Sequence, residues 1–100
     1  FEGVTLTADE RFRLAGLYSA EKRYDLAVQQ CRQVLRADPA NAKAERLLAD
    51  CLSWNGEYAE SLALFEKLRQ ANPADPDLPV RIAEVTRWSR EYDAAARLYR

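Results

Sequence analysis

The sequence predicts an all-α solenoid of helix–turn–helix units, and three observations support this fold class. First, the chain is self-similar at a period of 34 residues, within the range of about 20 to 50 that is typical of solenoids. Second, a proline stands at the same position near the end of each of the first two periods, at Pro39 and Pro73. Third, apolar and small residues recur in one register; the matched sets are Leu14, Leu48 and Ile82; Ala15, Ala49 and Ala83; Tyr24, Tyr58 and Tyr92; Ala27, Ser61 and Ala95; and Cys31, Phe65 and Tyr99.

The first unit opens at Thr7, which has the spacing of a capping box with Glu10. Apolar periodicity then predicts a helix over about 8–21, a turn at Lys22 and Arg23, and a second helix over about 25–37. The second helix ends before Pro39, because the residue that precedes a proline is pushed out of the α region. Residues 1–7 are predicted to be a linker or the tail of a preceding element.

The second unit repeats this plan from Asn41, a candidate N-cap. A helix is predicted over about 42–55, and Gly56 follows it where the end of a helix often requires a positive φ. The partner helix is predicted over about 58–71 and ends before Pro73.

The third unit opens with Pro76 and Pro79, which are tolerated only in the first turn of a helix. Either Asp75 or Asp77 could cap that helix. It is predicted to continue to about residue 89, and a last helix is predicted to start near Tyr92 and to be cut at residue 100. The sequence therefore predicts five complete helices and a short sixth, with no sheet.

The small residues of the register predict how the helices of each unit pair. Ala on the first helix of a unit should face Ala or Ser on the second, and small side chains allow two helix axes to approach closely. The predicted close contacts are Ala15 with Ala27, Ala49 with Ser61, and Ala83 with Ala95.

Composition excludes several classes of function. Lys and Arg total 15 against 16 Asp and Glu, and the signs alternate along the chain, which disfavours nucleic-acid binding. No apolar run reaches the roughly 20 residues of a membrane span. Without His, a Gly-rich phosphate loop or a set of metal ligands, we expect no cofactor, no metal and no enzymatic activity. Cys31 and Cys51 are interpreted as free thiols rather than a disulfide.

The repeated residues resemble the tetratricopeptide repeat, a 34-residue helix–turn–helix. The residues that carry the resemblance in the second unit are Leu48, Ala49, Leu52, Gly56, Tyr58, Ser61, Phe65, Leu68 and Pro73. Arg11, Glu45 and Pro79 depart from it, because the family favours Trp there. The resemblance implies a right-handed superhelical solenoid of about two and a half to three repeats, at 8–41, 42–75 and, truncated, 76–100.

The same resemblance implies a non-catalytic module that binds a peptide or a protein surface in a concave groove lined by the first helix of each repeat. By register, the candidate groove residues are Phe12, Gly16, Lys43, Arg46, Asp50, Trp54, Glu84, Arg87 and Trp88. Two interpretations stay open for the tryptophans: each anchors a ligand, or each packs between successive units. Gly16 either allows the close approach of a ligand or neighbouring backbone, or is simply tolerated.

Co-chaperone members of the family hold the terminal carboxylate of a chaperone tail with Lys, Asn and Arg side chains. The matching positions here are Phe12, Gly16, Leu47, Asp77 and Arg81, of which only Arg81 retains a suitable group. Chaperone-tail capture is therefore not expected.

An alternative function is that of a structural spacer in a longer scaffold. Trp54, Gly56 and Tyr58 resemble repeats of bacterial envelope scaffolds for exopolysaccharide export, so the compartment stays open between the cytoplasm and a bacterial periplasm. We also expect weak self-association through the truncated C-terminal end, where Ala95, Leu98 and Tyr99 would form an apolar edge.

Overall fold

A computed structural model describes residues 6–98, and within that range it contains five α-helices and no strand. Each helix packs against the next one in the chain. The all-α helical-repeat solenoid that the sequence predicts is confirmed, in a body with extents of 50 × 36 × 20 Å. The helices are α1 (Ala8–Ala20), α2 (Tyr24–Ala37), α3 (Ala42–Trp54), α4 (Tyr58–Ala71) and α5 (Asp77–Leu98).

The helix starts follow the capping residues seen in the sequence. The backbone N–H of Glu10 donates to Thr7 Oγ1 at 3.1 Å, and the Thr7 N–H donates to Glu10 Oε1 at 3.0 Å, so the capping box is formed. The Asn41 side chain accepts from the N–H of Ala44. At α5, Asp75 Oδ1 accepts the N–H of Asp77 at 2.9 Å, which makes Asp75 the residue that satisfies the start of this helix.

Two residues in the left-handed region make the turns inside the first two units. Gly56 has a φ of 82° and Lys22 has a φ of 62°. Gly adopts this conformation freely, whereas for a residue with a Cβ it costs about 1 to 2 kcal/mol. Lys22 tolerates that cost because α2 then buries Ala27, Val28 and Cys31.

The predicted close contacts of the first two units are confirmed. Ala15, Ala27, Ala49 and Ser61 are all completely buried. The Ser61 hydroxyl donates to the backbone carbonyl of Ala49 at 2.7 Å, so the small side chain also satisfies its own polar group.

Between residues 6 and 98 most of the buried apolar residues form two clusters, and α3 contributes to both. The first cluster is formed by Ala15, Ala27, Val28, Cys31, Leu48, Cys51 and Leu52. The second cluster is formed by Ala49, Phe65, Leu68, Leu78 and Val85. Leu64 packs against both clusters, so the units share a continuous interior in the way that stacked repeats do.

The predicted sixth helix is wrong: α5 runs without a break for 22 residues, through the expected turn near residue 90. The close contact predicted between Ala83 and Ala95 is therefore wrong as well, and both residues are exposed. In register, Arg90 corresponds to Lys22 and Gly56, so a turn there would again require a left-handed residue that is not glycine.

The continuous helix is favoured because the described part of the third unit offers little to bury. Its last turns offer mainly Tyr92, Ala95 and Leu98, whereas α2 and α4 each bring a larger set of apolar side chains to their units. Residues 91–98 are exposed throughout. A straight helix keeps its backbone hydrogen bonds and avoids the strained residue. Tyr99, the third member of the predicted apolar edge, lies outside the described residues.

Candidate functional site

The predicted groove residues lie on α1, α3 and α5, the first helices of the three units. We call the surface shared by these three helices the inner face, and α2 and α4 the outer helices. Ion pairs join neighbouring inner helices: Arg46 of α3 lies 2.9 Å from Asp75 and 3.5 Å from Asp77, on the α5 side. On the inner face, α3 and α5 are therefore held together partly by charge.

Trp54 closes α3 and lies between residues of the two adjacent units. Its ring centroid is 5.5 Å from that of Tyr24, at an angle of 43°. On another side, the Arg81 guanidinium carbon lies 5.7 Å from the Trp54 centroid, within cation–π range. Trp54 nevertheless stays 43% exposed. It thus links units and still presents part of its ring to solvent.

Arg81, which is not among the predicted groove residues, connects α5 to α3 through several polar contacts. Its Nε and Nη2 both donate to Asp50 Oδ1, at 3.1 and 2.6 Å. Its Nη1 donates to Glu84 Oε2 at 3.1 Å, and its guanidinium also lies 5.8 Å from the Phe65 centroid. With a side chain only 21% exposed, Arg81 holds Asp50 and Glu84 in place rather than presenting a free cation.

The remaining predicted residues are placed less tightly. Phe12 is half-buried and lines a depression together with the exposed Lys43. Gly16 is exposed, and a Cβ built there meets nothing within 4 Å, so no neighbouring backbone requires a glycine. Arg87 is exposed and lies 3.9 Å from Glu91. Trp88 is half-buried in mid-α5 and packs against the second core cluster.

Sequence reasoning missed the part of Arg81 and Tyr24 in this surface. The sequence marks Arg81 only as a possible anion ligand and Tyr24 only as a packing residue. A signal is nonetheless present: Asp50 with Arg81 and Arg46 with Asp77 are both oppositely charged pairs 31 residues apart. That spacing, about one helical turn short of the period, brings side chains of consecutive inner helices together.

The two thiols belong to the interior rather than to this surface. Cys31 and Cys51 are free and completely buried in the first core cluster. Burial and, to a smaller extent, the nearby Cys51 together raise the pKa of Cys31 to about 12; burial also raises the pKa of Cys51. Both therefore stay protonated at neutral pH and are poor nucleophiles.

Between residues 6 and 98, no group of three or more His, Cys, Asp or Glu side chains is arranged to hold a metal ion. Of the described helices, none combines the length and apolarity needed to cross a membrane.

Comparison with known proteins identifies the family. The model of the tetratricopeptide repeat matches residues 18–78, more than half of the chain. The chain belongs to the tetratricopeptide repeat family. This match covers α2, α3 and α4 and both turns that contain a left-handed residue.

Two tetratricopeptide repeat proteins illustrate the similarity. Over 82 residues the chain is 28% identical to the tetratricopeptide repeat protein 21 homolog of Caenorhabditis elegans, covering 82% of this chain but only 6% of that protein. The second TPR domain of human RPAP3, solved by NMR in complex with the HSP70 peptide SGPTIEEVD, superposes with a TM-score of 0.72. That likeness covers 80% of this chain and 67% of the RPAP3 chain at 19% identity, and shows a shared fold.

Proposed function

We propose that this chain is a non-catalytic interaction module that binds a peptide or protein segment along the inner face. The residues proposed to contact it are the predicted set: Phe12, Gly16, Lys43, Arg46, Asp50, Trp54, Glu84, Arg87 and Trp88. Membership of the tetratricopeptide repeat family and the fold shared with a peptide-bound domain of RPAP3 support this class of function.

The observation that carries the proposal is that the Trp54 ring is held in place and yet partly exposed. Tyr24 and Arg81 restrict its ring from two sides, while 43% of the residue remains exposed. An aromatic ring that is held in place loses little conformational freedom on binding, and its exposed surface is available for burial against a ligand. Trp54 is therefore proposed both to link units and to anchor the ligand, whereas Trp88 mainly packs against the core.

The ligand is proposed to be an internal segment rather than a free C-terminus. Among the positions that match the carboxylate-holding set of chaperone-tail binders, only Arg81 is a cation, and it is paired with Asp50 and Glu84. This chain is thus proposed to differ from domains that hold chaperone tails, although it shares their fold.

The division into repeats at 8–41, 42–75 and 76–100 stays a prediction, with 1–7 as the preceding linker. The alternative of a spacer in a longer scaffold, including one for exopolysaccharide export, predicts no ligand for the inner face. The test is selection of peptides from a random phage-displayed library against the whole chain. We expect peptides whose affinity depends on inner-face side chains; a selection that yields none would favour the spacer.

Weak self-association through the C-terminal part of α5 is also proposed. Leu98 is 83% exposed and Ala95 is exposed, so an apolar edge is available to a second copy. We expect the apparent mass from light scattering to rise over about a hundredfold range of concentration, as mass action requires, and Leu98→Glu to reduce that rise. A monomer at every concentration would contradict the proposal.

A further inference from the structure

A second groove lies between the outer helices α2 and α4, with α3 beneath it. Leu48 of α3 forms its floor and is 4% exposed. Leu35 of α2 and Leu64 of α4 line the walls and pack against the first core cluster, and Ala63 is exposed at the edge. The volume of this outer groove is about 590 Å³. It is thus an open, mainly apolar depression between two helices, separate from the inner face.

The rim of the outer groove is mainly positive although the chain carries a net charge of −1. Arg32 and Arg36 line it from α2, and Lys67 and Glu60 line it from α4. Arg32 Nη2 lies 2.9 Å from Glu60 Oε2, which neutralises the only carboxylate among the lining residues. The excess charge on the rim is therefore cationic.

The other two cations differ in how they are engaged. Lys67 Nζ lies 3.0 Å from Oε2 of Glu45, a carboxylate on α3 that is only 7% exposed. Arg36 is exposed and forms no ion pair with any residue between 6 and 98. Arg36 is accordingly the cation at this groove that is free to meet an incoming carboxylate.

We propose that the outer groove docks an acidic amphipathic helix of a partner protein. The apolar face of that helix would pack on Leu35, Ala63 and Leu64, which keep exposed surface above the buried Leu48, in the way that helices with anchors at i, i+3, i+4 and i+7 occupy hydrophobic grooves. Its carboxylates would lie along the rim and pair with Arg36, while a basic helix would be repelled. The proposal uses a different face and different residues from the inner-face function, so either one can fail without the other.

The test uses the whole chain and a defined peptide. The peptide is fluorescein-labelled, about 14 residues long, with leucines at i, i+3, i+4 and i+7 spacing and glutamates and alanines elsewhere. Ala63→Glu places a carboxylate at the exposed edge of the groove without entering the core, and Arg36→Glu reverses the free cation. The matched controls are Ala59→Glu, exposed on the same helix outside the groove, and Arg90→Glu, exposed on α5.

Fluorescence anisotropy should show saturable binding that Ala63→Glu and Arg36→Glu each weaken by about tenfold or more, while the two control variants bind as the original chain does. Trp54→Ala should also leave this affinity unchanged. Circular dichroism confirms that each variant is folded. No binding by the original chain, equal affinity for Ala63→Glu, or equal affinity for a peptide with serines in place of the leucines would overturn the proposal. Loss of binding in Trp54→Ala would likewise overturn it, by placing the peptide on the inner face.

Discussion

Ala49→Leu is expected to lower the free energy of unfolding by about 1 to 3 kcal/mol, because it overpacks a contact that has no free volume. Ala49 is completely buried on α3, directly opposite Ser61 of α4. The 2.7 Å hydrogen bond from the Ser61 hydroxyl to the Ala49 carbonyl keeps the two helices close. A larger side chain must separate the helices and break that bond, which leaves a buried hydroxyl unsatisfied.

Ala83→Leu is the matched control, since Ala83 occupies the same register position in the third unit. It is exposed because α5 does not fold back, so the same substitution should change the free energy of unfolding by less than about 0.5 kcal/mol. Urea unfolding followed by circular dichroism measures both variants. Equal destabilisation by the two substitutions would show that a sixth helix covers Ala83 after all.

Trp54→Ala is expected to weaken the binding of library-selected peptides by at least about tenfold, since truncated tryptophans at the centre of an interface commonly cost about 2 kcal/mol or more. The substitution removes the exposed aromatic surface of the inner face. It also frees Arg81 on one side and Tyr24 on the other, so the rest of the groove loses part of its alignment.

Tyr92→Ala is the control for loss of an aromatic side chain. Tyr92 is 62% exposed, and its ring lies 6.1 Å from that of Tyr58, on the α4 side of α5. Its removal should leave peptide affinity within about twofold, a change below roughly 0.5 kcal/mol. Isothermal titration of the two variants, each shown to be folded, measures the difference. Equal losses in both would contradict an anchoring role for Trp54.

Much of this fold could be predicted from local features of the sequence. Thr7 with Glu10 and Asn41 cap the helices where the pattern places them, and the buried contact between Ala49 and Ser61 arises from small residues recurring at one period. Such features succeed because hydrogen bonding at a helix end and close helix approach each depend on a few residues at fixed spacing.

The course of α5 could not be predicted in the same way, because it depends on a balance between strain and burial. Lys22 and Arg90 occupy the same register position, yet only Lys22 adopts the left-handed conformation. The difference lies in the segment on the C-terminal side of each residue. The segment after Lys22 buries Val28 and Cys31, whereas residues 91–98 stay exposed. A repeat register shows which residues match. It does not show whether burial of apolar surface is large enough to offset the strain of a left-handed residue in the turn.

The geometry of the candidate site was likewise only partly predictable. The register places Trp54 and Asp50 on the inner face, but the contacts that fix the positions of these side chains come from other units. Tyr24 belongs to the unit before Trp54, and Arg81 follows it on the next inner helix. Pairings of this kind depend on the stacking of units, which sets distances that a single unit does not contain.

The central claim is that the inner face receives the ligand, and photo-crosslinking from Gly16 tests it most directly. A benzoylphenylalanine at Gly16 would lie on α1 with open space around its Cβ, so the fold should tolerate it. The same group at Gln29, exposed on outer helix α2, serves as the control. We predict that library-selected peptides crosslink from position 16 and not from position 29. Crosslinking from position 29 alone, or from neither position while the peptide is bound, would contradict the account.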